Sequence, residues 1–397
     1  MQEKMKICAV ICELNPLHSG HQALFTYAKE RFPGLVCVLS GNFVQRGEPA
    51  LLDKWARTRL ALESGADLVL ELPLPWAMAG AERFAAGGVA LARALGCVDT
   101  LVFGSEGADI RPLWQLAEAL LSPGFSRALG QVDSTLPFAQ RRQRAAALLV
   151  GEETAALLEK PNCILGVEYL KAMLSQGGGL EAETFLRMGA GHDVPDAQGP
   201  LLSASHARAL LRQGADVTGR LPQATLSLWE EQGAQGKCPA SLERLEVAVL
   251  CTLRSLSIED FARLPDVSEG LENRLYRAAR QAGSLEEFYS LVKSKRYSHA
   301  RVRRLALSAF LGLSKEKPAL PPYLRVLGMT STGQEILKRA KPALPLAARP
   351  GDFQKLGGEA LALFEQEARA DDLYALSLPA PAPCGRDYTQ GILKLGF

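Results

Sequence analysis

The sequence lacks the features that mark membrane proteins, secreted proteins and zinc proteins. No apolar run approaches the roughly 18 residues of a membrane-spanning helix. The amino-terminal MQEKMK leads directly into a strand pattern, without the apolar segment of a signal peptide. The eight cysteines include no C-x-x-C pair, which favours reduced core thiols over disulfides or a zinc site. These absences predict a cytoplasmic protein that has no structural metal and does not enter a membrane.

Net charge and several catalytic motifs are also scarce. The net charge of +2 is too small to indicate nucleic-acid binding, so local charge must decide that question. Neither G-x-S-x-G nor a P-loop occurs, which disfavours acyl hydrolases and P-loop NTPases. At 397 residues the chain is long for a single core, and two domains are expected.

The first half alternates short apolar runs with amphipathic helical patterns, which is typical of a parallel sheet covered on both faces. Strands are predicted at 7–12, 35–39, 67–70, 100–103 and 183–188. From about Gly219 the apolar residues recur at three- and four-residue spacing, which predicts helices, with one short strand at 324–328. We therefore predict a Rossmann-like α/β domain over 1–218 and a mainly helical domain over 219–397, ending in a Pro-rich tail on the surface.

The clearest motif is His18-Ser19-Gly20-His21, which follows the first strand and an Asn-Pro break and begins a helix. The protein has only five histidines, and the three-residue spacing places these two on one face above free backbone N–H groups. Such a helix start attracts anions, and Gly20 lets a phosphate approach the backbone. The pattern predicts a phosphate site of an adenylyl-transferring domain. The alternative is a helix cap with two exposed histidines.

The segment SGNFVQRGEPALLDKWARTR, residues 40–59, places several charged donors beside this site. Arg46 or Lys54 would hold a phosphate or a carboxylate substrate, since both are strong cationic donors. The alternative is an ordinary solvated loop and helix face.

A third segment places Ser203 and Ser205 in the first turn of a helix, with Arg208 one turn later. This arrangement can wrap the β- and γ-phosphates of a nucleotide. The alternative is a serine cap with a surface arginine.

The segment KSKRYSHARVRR, residues 293–304, holds six Lys or Arg residues around Tyr297. The following helix would present Arg301 and Arg304 on one outer face, a basic stripe suited to a phosphate backbone. Tyr297 would stack on an RNA base. The alternative is a solvated helix with a chance cluster of arginines.

Together these segments closely resemble one family, the bacterial tRNA(Met) cytidine acetate ligases of the H-x-G-H nucleotidyltransferase superfamily. The resemblance runs through nearly the whole chain and includes ELNPLHSGH, SGNFVQRGEPALLDKWAR, FAAGGV, FGSE, KPNCILGVEYL, RMGAG, SAS before Arg208, and SKRYSHARVRR. The long second block is the most specific. Two positions depart from the family pattern: Gly191 is followed by His192-Asp193 instead of Tyr-His, and Ser205 replaces a threonine.

The resemblance implies that ATP and acetate form acetyl-adenylate with release of pyrophosphate. The acetyl group then passes to N4 of the wobble cytidine of elongator tRNA(Met). ATP would carry Mg²⁺, no protein partner is evident, and the catalytic residues would be His18, His21 and Arg208. Two further functions stay open, a small-molecule adenylyl- or cytidylyltransferase on the same fold and a non-catalytic nucleotide- and RNA-binding protein.

Two further sets of residues complete the expected site. ATP would contact Ile11, Cys12, Glu13, Leu14, Asn15, Pro16, Leu17, His18, Ser19, Gly20, His21, Gln22, Ala23, Leu24, Gly104, Asn162, Arg187, Met188, Ser203 and Ser205. The substrate carboxylate or tRNA would contact Arg46, Lys54, Lys293, Lys295, Arg296, Arg301 and Arg304.

Overall fold

The computed structural model describes residues 5–186, 202–268, 270–294, 297–316 and 318–397. Within these residues the strands are β1 (Ile7–Cys12), β2 (Gly34–Ser40), β3 (Phe43–Val44), β4 (Glu48–Pro49), β5 (Leu68–Leu72), β6 (Thr100–Ser105), β7 (Glu181–Leu186), β8 (Leu324–Thr330), β9 (Leu346–Ala347) and β10 (Leu393–Leu395). Eight of them form one sheet, in the order β10-β8-β5-β2-β1-β6-β7 with β9 paired to β8. The series β5-β2-β1-β6-β7 is parallel, and β8 runs antiparallel to β5.

Helices connect and cover these strands. Up to residue 234 they are α1 (Ser19–Arg31), α2 (Lys54–Glu63), α3 (Leu74–Ala77), α4 (Ala81–Ala94), α5 (Arg111–Leu121), α6 (Pro123–Gln131), α7 (Phe138–Val150), α8 (Glu152–Ala155), α9 (Pro161–Ser175), α10 (Ala204–Arg212) and α11 (Gln223–Ala234). The later helices are α12 (Glu246–Ser255), α13 (Ile258–Arg263), α14 (Leu271–Gln281), α15 (Leu285–Val292), α16 (His299–Phe310), α17 (Ser331–Arg339), α18 (Pro350–Leu356), α19 (Gly358–Ala375) and α20 (Arg386–Thr389).

The continuous apolar run of β1 is explained by burial on both sides of the sheet. Ile7 and Ala9 pack into a core with residues of α4, α5 and α9, whereas Cys8 and Val10 pack on the opposite face with residues of α1 and α2. A parallel strand covered on both faces needs no polar alternation. The predicted α/β fold is confirmed.

The strand order places a crevice beside β1. The chain passes from β1 to β2 and β5 on one side, and β6 and β7 then pair on the other side. In sheets of this type ligands bind at the carboxyl ends of the strands where the order reverses. The turns that follow β1 and β6 lie at this point.

The sheet continues beyond the predicted division at Gly219. Helices α12 to α16 pack around a second core, to which Phe43, Leu74 and Met78 also contribute. The predicted strand at 324–328 is present as β8 and extends the first sheet beyond β5. The carboxyl terminus adds β10 beside β8, and Asp387, just after the Pro-rich stretch, is buried. The Pro-rich stretch itself, residues 378–385, lies mostly at the surface, and the chain returns to the sheet only after it. A short strand pattern indicates that a strand exists but does not identify its partner.

Candidate active site

A cleft of about 190 Å³ opens at the carboxyl ends of β1 and β6. Its lining is Ile11, Cys12, Glu13, Leu14, Asn15, His18, Gly20, His21, Leu24, Gln45, Arg46, Phe84, Phe103, Gly104, Asn162, Leu165, Tyr169, Phe185, Ala204 and Arg208. The turn out of β1 supplies much of this lining. Within that turn Leu14 has a φ of 50°, a left-handed backbone that a leucine rarely adopts.

The two histidines of the motif face this cleft as a stacked pair. Their ring centroids are 3.9 Å apart, with 23° between the ring planes. The Gly20 N–H donates to Nδ1 of His18 at 3.0 Å, and the His18 N–H donates to Nδ1 of His21 at 3.4 Å. Because each Nδ1 is an acceptor, each neutral ring carries its proton on Nε2. The pair therefore offers two Nε2–H donors at the amino terminus of α1.

Arg208 reaches the same cleft from α10 and is fixed from two sides. Its Nε lies 3.0 Å from Oε1 of Glu48, and Nη1 donates to the Asn15 carbonyl at 2.8 Å. Burial raises the pKa of Glu48, but Arg208 and Arg212 outweigh burial and lower it below its ordinary value. Glu48 is therefore ionised and holds the guanidinium of Arg208 at the cleft.

The two serines that precede Arg208 do not line the cleft. The hydroxyl of Ser203 accepts the His206 N–H at 3.3 Å and caps α10, which was the alternative interpretation of this motif. Ser205 lies in the first turn of the same helix, and Ala204 between them faces the cleft.

Asn162 lines the cleft and is the second residue of α9. The carboxylate of Glu106 accepts the Asn162 N–H at 3.1 Å, its Nδ2 at 2.7 Å, and the Cys163 N–H at 2.8 Å. Burial raises the pKa of Glu106, but these hydrogen bonds lower it further than burial raises it. The start of α9 is thus capped by an ionised carboxylate beside Gly104.

A buried arginine holds together the two turns that form the cleft. Arg57 is fully buried, and its Nη1 donates to the carbonyls of Glu13 at 2.7 Å and Ser40 at 3.0 Å. Its other nitrogens donate to the Gly41 carbonyl at 2.5 Å and the Leu52 carbonyl at 2.9 Å. The carboxyl ends of β1 and β2 are therefore joined through one guanidinium.

The two cations predicted to hold a substrate anion have different positions. Arg46 lines the cleft, and its contact with a substrate anion stays a prediction. Lys54 is 0% exposed, and its Nζ lies 2.8 Å from carboxylate oxygens of Glu71, Asp371 and Asp387. The prediction for Lys54 is wrong, because its ammonium group is paired with buried carboxylates and is not accessible to a substrate.

The basic segment is divided between surface and interior. Lys293 is exposed, and the guanidinium of Arg301 bonds to the Asp266 carbonyl at the surface. Arg304 instead turns inward, donates to the Gln45 carbonyl at 3.2 Å, and has its pKa lowered by burial. Tyr297 is 8% exposed and belongs to the helical core, so its predicted stacking on RNA is wrong.

The remaining predicted residues follow two patterns. Four predicted residues, Lys295, Arg296, Arg187 and Met188, lie outside the described residues. Of the ATP set, the described residues that do not line the cleft, besides the two serines of α10, are Pro16, Leu17, Ser19, Gln22 and Ala23.

Sequence reasoning missed the apolar lining of the cleft. Residues that line it without having been predicted are Gln45, Phe84, Phe103, Leu165, Tyr169, Phe185 and Ala204. An apolar side chain in a pocket has the same sequence pattern as one in the core. The one usable signal was position, since Phe103 and Phe185 stand near the carboxyl ends of β6 and β7.

Two absences hold for the part of the chain that the structure describes. No helix there is both long and apolar enough to cross a membrane. No three His, Cys, Asp or Glu side chains there are grouped so that they could bind a metal ion.

Comparison with known proteins agrees with this geometry. The model of the HIGH Nucleotidyl Transferase family matches residues 5–389. The tRNA(Met) cytidine acetate ligase of Thermoanaerobacter sp. (strain X514) is 34% identical, over 98% of this chain and 100% of the relative. The chain belongs to the tRNA(Met) cytidine acetate ligase family. The ligase of Syntrophomonas wolfei is 36% identical, over 97% of this chain and 98% of its own.

Solved structures from this ligase family have the same fold. Thermotoga maritima TmcAL in its apo form I superposes with a TM-score of 0.93, and its form II, bound with alpha-thio ATP, with a TM-score of 0.90. Both are 33% identical to this chain and cover 99% of it. A member of the family with this fold therefore binds an ATP analogue.

Proposed function

We propose that the protein is an ATP-dependent ligase that activates acetate as acetyl-adenylate and transfers the acetyl group to N4 of the wobble cytidine of elongator tRNA(Met). One observation carries the proposal: His18 and His21 stack at the start of α1 and line a cleft at the reversal of strand order. The family relationship supports the choice of acetate and tRNA over other substrates.

In the first step an acetate oxygen attacks the α-phosphorus of ATP and pyrophosphate leaves. Negative charge builds on the non-bridging oxygens and on the leaving group, so fixed positive potential and alignment accelerate the step. His18 and His21 would donate to these oxygens, supported by the free N–H groups of α1. Arg208, already held by Glu48, would supply a permanent positive charge.

The tRNA would lie on the basic surface beside the cleft. Helix α16 packs directly on the loop that carries Gln45 and Arg46, and a Cβ on Gly47 would come within 2.7 Å of the Arg304 backbone nitrogen. Gly47 has a φ of 74°, so a side chain there would also be strained. An RNA backbone seated on Arg301 would thus lie near the mouth of the cleft. The wobble base would turn out of its stack to enter.

Mg²⁺ would arrive on the phosphates of ATP. The described cleft has no pair of carboxylates suited to it, because Glu106 is engaged by the start of α9 and Glu13 accepts the Gln45 N–H.

The test is mass analysis of nucleosides from tRNA incubated with the protein, ATP and labelled acetate. Labelled N4-acetylcytidine at the wobble position of elongator tRNA(Met), with AMP and pyrophosphate as products, is the expected result. Omission of ATP and substitution of initiator tRNA are the controls. Pyrophosphate release driven by a small phosphorylated acceptor would indicate the small-molecule transferase. Nucleotide binding without turnover would indicate a non-catalytic binding protein.

A further inference from the structure

The second step of the proposed function requires a group that accepts a proton. The N4 lone pair of cytidine is delocalised into the ring, so this amine is a weak base and a weak nucleophile. When N4 bonds to the acetyl carbon, it must lose a proton for the amide to form. A positioned side chain that takes this proton contributes general-base catalysis.

Most titratable side chains of the described cleft cannot serve. His18 and His21 accept hydrogen bonds at Nδ1, so they present Nε2–H groups, which are donors. The hydrogen bond with Cys37 and burial raise the pKa of the Cys12 thiol well above its ordinary value. Burial likewise raises the pKa of Tyr169 well above its ordinary value. Both groups are therefore neutral, protonated acids at physiological pH.

Arginines are excluded for a different reason. Arg46 and Arg208 line the cleft, but a guanidinium has no acceptor and stays protonated in proteins. The remaining titratable side chain of the described lining is Glu13, the first residue after β1. Its Oε1 accepts the Gln45 N–H at 2.7 Å, and its carbonyl accepts Nη1 of Arg57 at 2.7 Å. Side chain and backbone are thus both fixed at the cleft.

We propose that Glu13 is the general base of acetyl transfer, a role that rests on the proposed function. N4 of the cytidine attacks the carbonyl carbon of acetyl-adenylate, and the bond between that carbon and the phosphate oxygen breaks. AMP leaves with the electron pair of that bond. The proton lost from N4 passes to the carboxylate of Glu13 and from there to solvent. One C–N bond forms, one C–O bond breaks, and no electron donor or acceptor is needed.

The surroundings of Glu13 suit this role. Burial raises the pKa of Glu13 above its ordinary value, whereas the Gln45 N–H, Arg208 of α10 and Arg57 of α2 lower it, and Glu48 of β4 raises it. The net shift is upward, which makes the carboxylate a stronger base than an exposed one. Cys12 and Tyr169, which also line the cleft, stay neutral and add no charge.

The test isolates the second step by supplying synthetic acetyl-adenylate and measuring single-turnover transfer to elongator tRNA(Met). E13Q keeps the shape and an oxygen that accepts the Gln45 N–H, but removes the base. Transfer by E13Q is expected to be slower by about 10²-fold or more. In the wild type the transfer rate should fall as pH is lowered through the pKa of Glu13, and E13Q should lack this decrease.

Each outcome decides a different point. Transfer by E13Q at the wild-type rate, or slow transfer that keeps the decrease at low pH, overturns the role of Glu13. If E13Q does not fold, E13D replaces it, with transfer expected to be slower by about tenfold and the decrease at low pH retained; wild-type transfer by E13D counts against the proposal. Failure of the wild-type protein to transfer acetyl from synthetic adenylate would instead overturn the proposed function itself.

Discussion

The cleft and a buried group of charges each take a cation from the same segment of the chain, but they have opposite character. Residues 40–59 supply Arg46 to the cleft and Lys54 to the group of charges. We call the latter the ion cluster; its members are Lys54, Glu71, Arg325, Asp371 and Asp387. Every member is buried, whereas the cleft is open to a ligand.

The difference lies in how the cations are paired. In the ion cluster Nζ of Lys54 contacts three carboxylates, and Nη1 of Arg325 lies 2.8 Å from Glu71 and 2.9 Å from Asp387. In the cleft Arg208 contacts a single carboxylate and one carbonyl. Buried charge is tolerated when it is fully paired, and a binding site keeps donors for its ligand.

The ion cluster also explains how the carboxyl terminus supports the cleft. Arg325 comes from β8, Asp371 from α19 and Asp387 from α20, and all contact Lys54 or its partner Glu71 on the first sheet. Asn42, in the loop that leads to the cleft, donates to Asp371 at 2.9 Å. The last part of the chain therefore helps to hold the loop between β2 and β3 in position.

The largest effect on stability is expected from Lys54→Met. This change removes the cation shared by three buried carboxylates, so the free energy of unfolding should fall by about 3–5 kcal/mol. Chemical denaturation measures the loss. The matched control is Lys338→Met, whose surface pair with Glu335 is worth less than about 1 kcal/mol. Equal midpoints for the two variants would show that the ion cluster is not a stabilising element.

His21→Ala should have the opposite profile, a large loss of activity with little loss of stability. Removing one preorganised donor typically costs about 10²–10³-fold in rate. Acetate-dependent exchange of pyrophosphate into ATP, without tRNA, measures the adenylation step. His299→Ala, a histidine outside the cleft, should exchange at the wild-type rate. Wild-type exchange by His21→Ala would remove His21 from the mechanism.

The ion cluster should also produce a pH dependence of stability through Glu367. This carboxyl is buried beside the ion cluster, and burial followed by repulsion from Glu71 raises its pKa to about 8. The pKa of Glu367 is higher in the folded protein than in the unfolded protein. The contribution of Glu367 to the stability of the fold is therefore fully present below about pH 4.5 and is lost as the pH rises to about 8.

The unfolding free energies of wild type and Glu367→Gln should therefore diverge as pH rises. The wild type loses on the order of 1–3 kcal/mol between about pH 5 and pH 8, and the glutamine variant does not lose this contribution. Denaturation at a series of pH values gives the difference directly. A difference that stays constant with pH would mean that Glu367 is ionised in the folded protein throughout.

The comparison of these two regions also shows what the sequence can predict. The turn from β1 into α1 was predictable because its strand, its Asn-Pro break and both histidines are contiguous. Arg46 and Lys54 could not be distinguished from the sequence. Two of the carboxylates that pair with Lys54 are Asp371 and Asp387, and both come from the far end of the chain. The same reason applies to Tyr297, whose burial depends on the packing of other helices. Local patterns predict elements, and burial of a charge depends on distant partners.

The smallest expected effect concerns the exposed part of the basic segment. Replacing Lys293 and Arg301 with alanine should weaken tRNA binding by roughly 1 kcal/mol per lost phosphate contact and reduce the slope of log K against log salt by about one unit for each. The control Lys338→Ala lies on α17, which packs near the amino-terminal end of β2, away from the cleft. Because Arg304 is turned inward toward Gln45, Arg304→Ala should instead disturb the cleft loop and lower adenylation even without tRNA. An unchanged salt slope in the double variant would show that Lys293 and Arg301 do not contact the RNA backbone and that tRNA binds another surface.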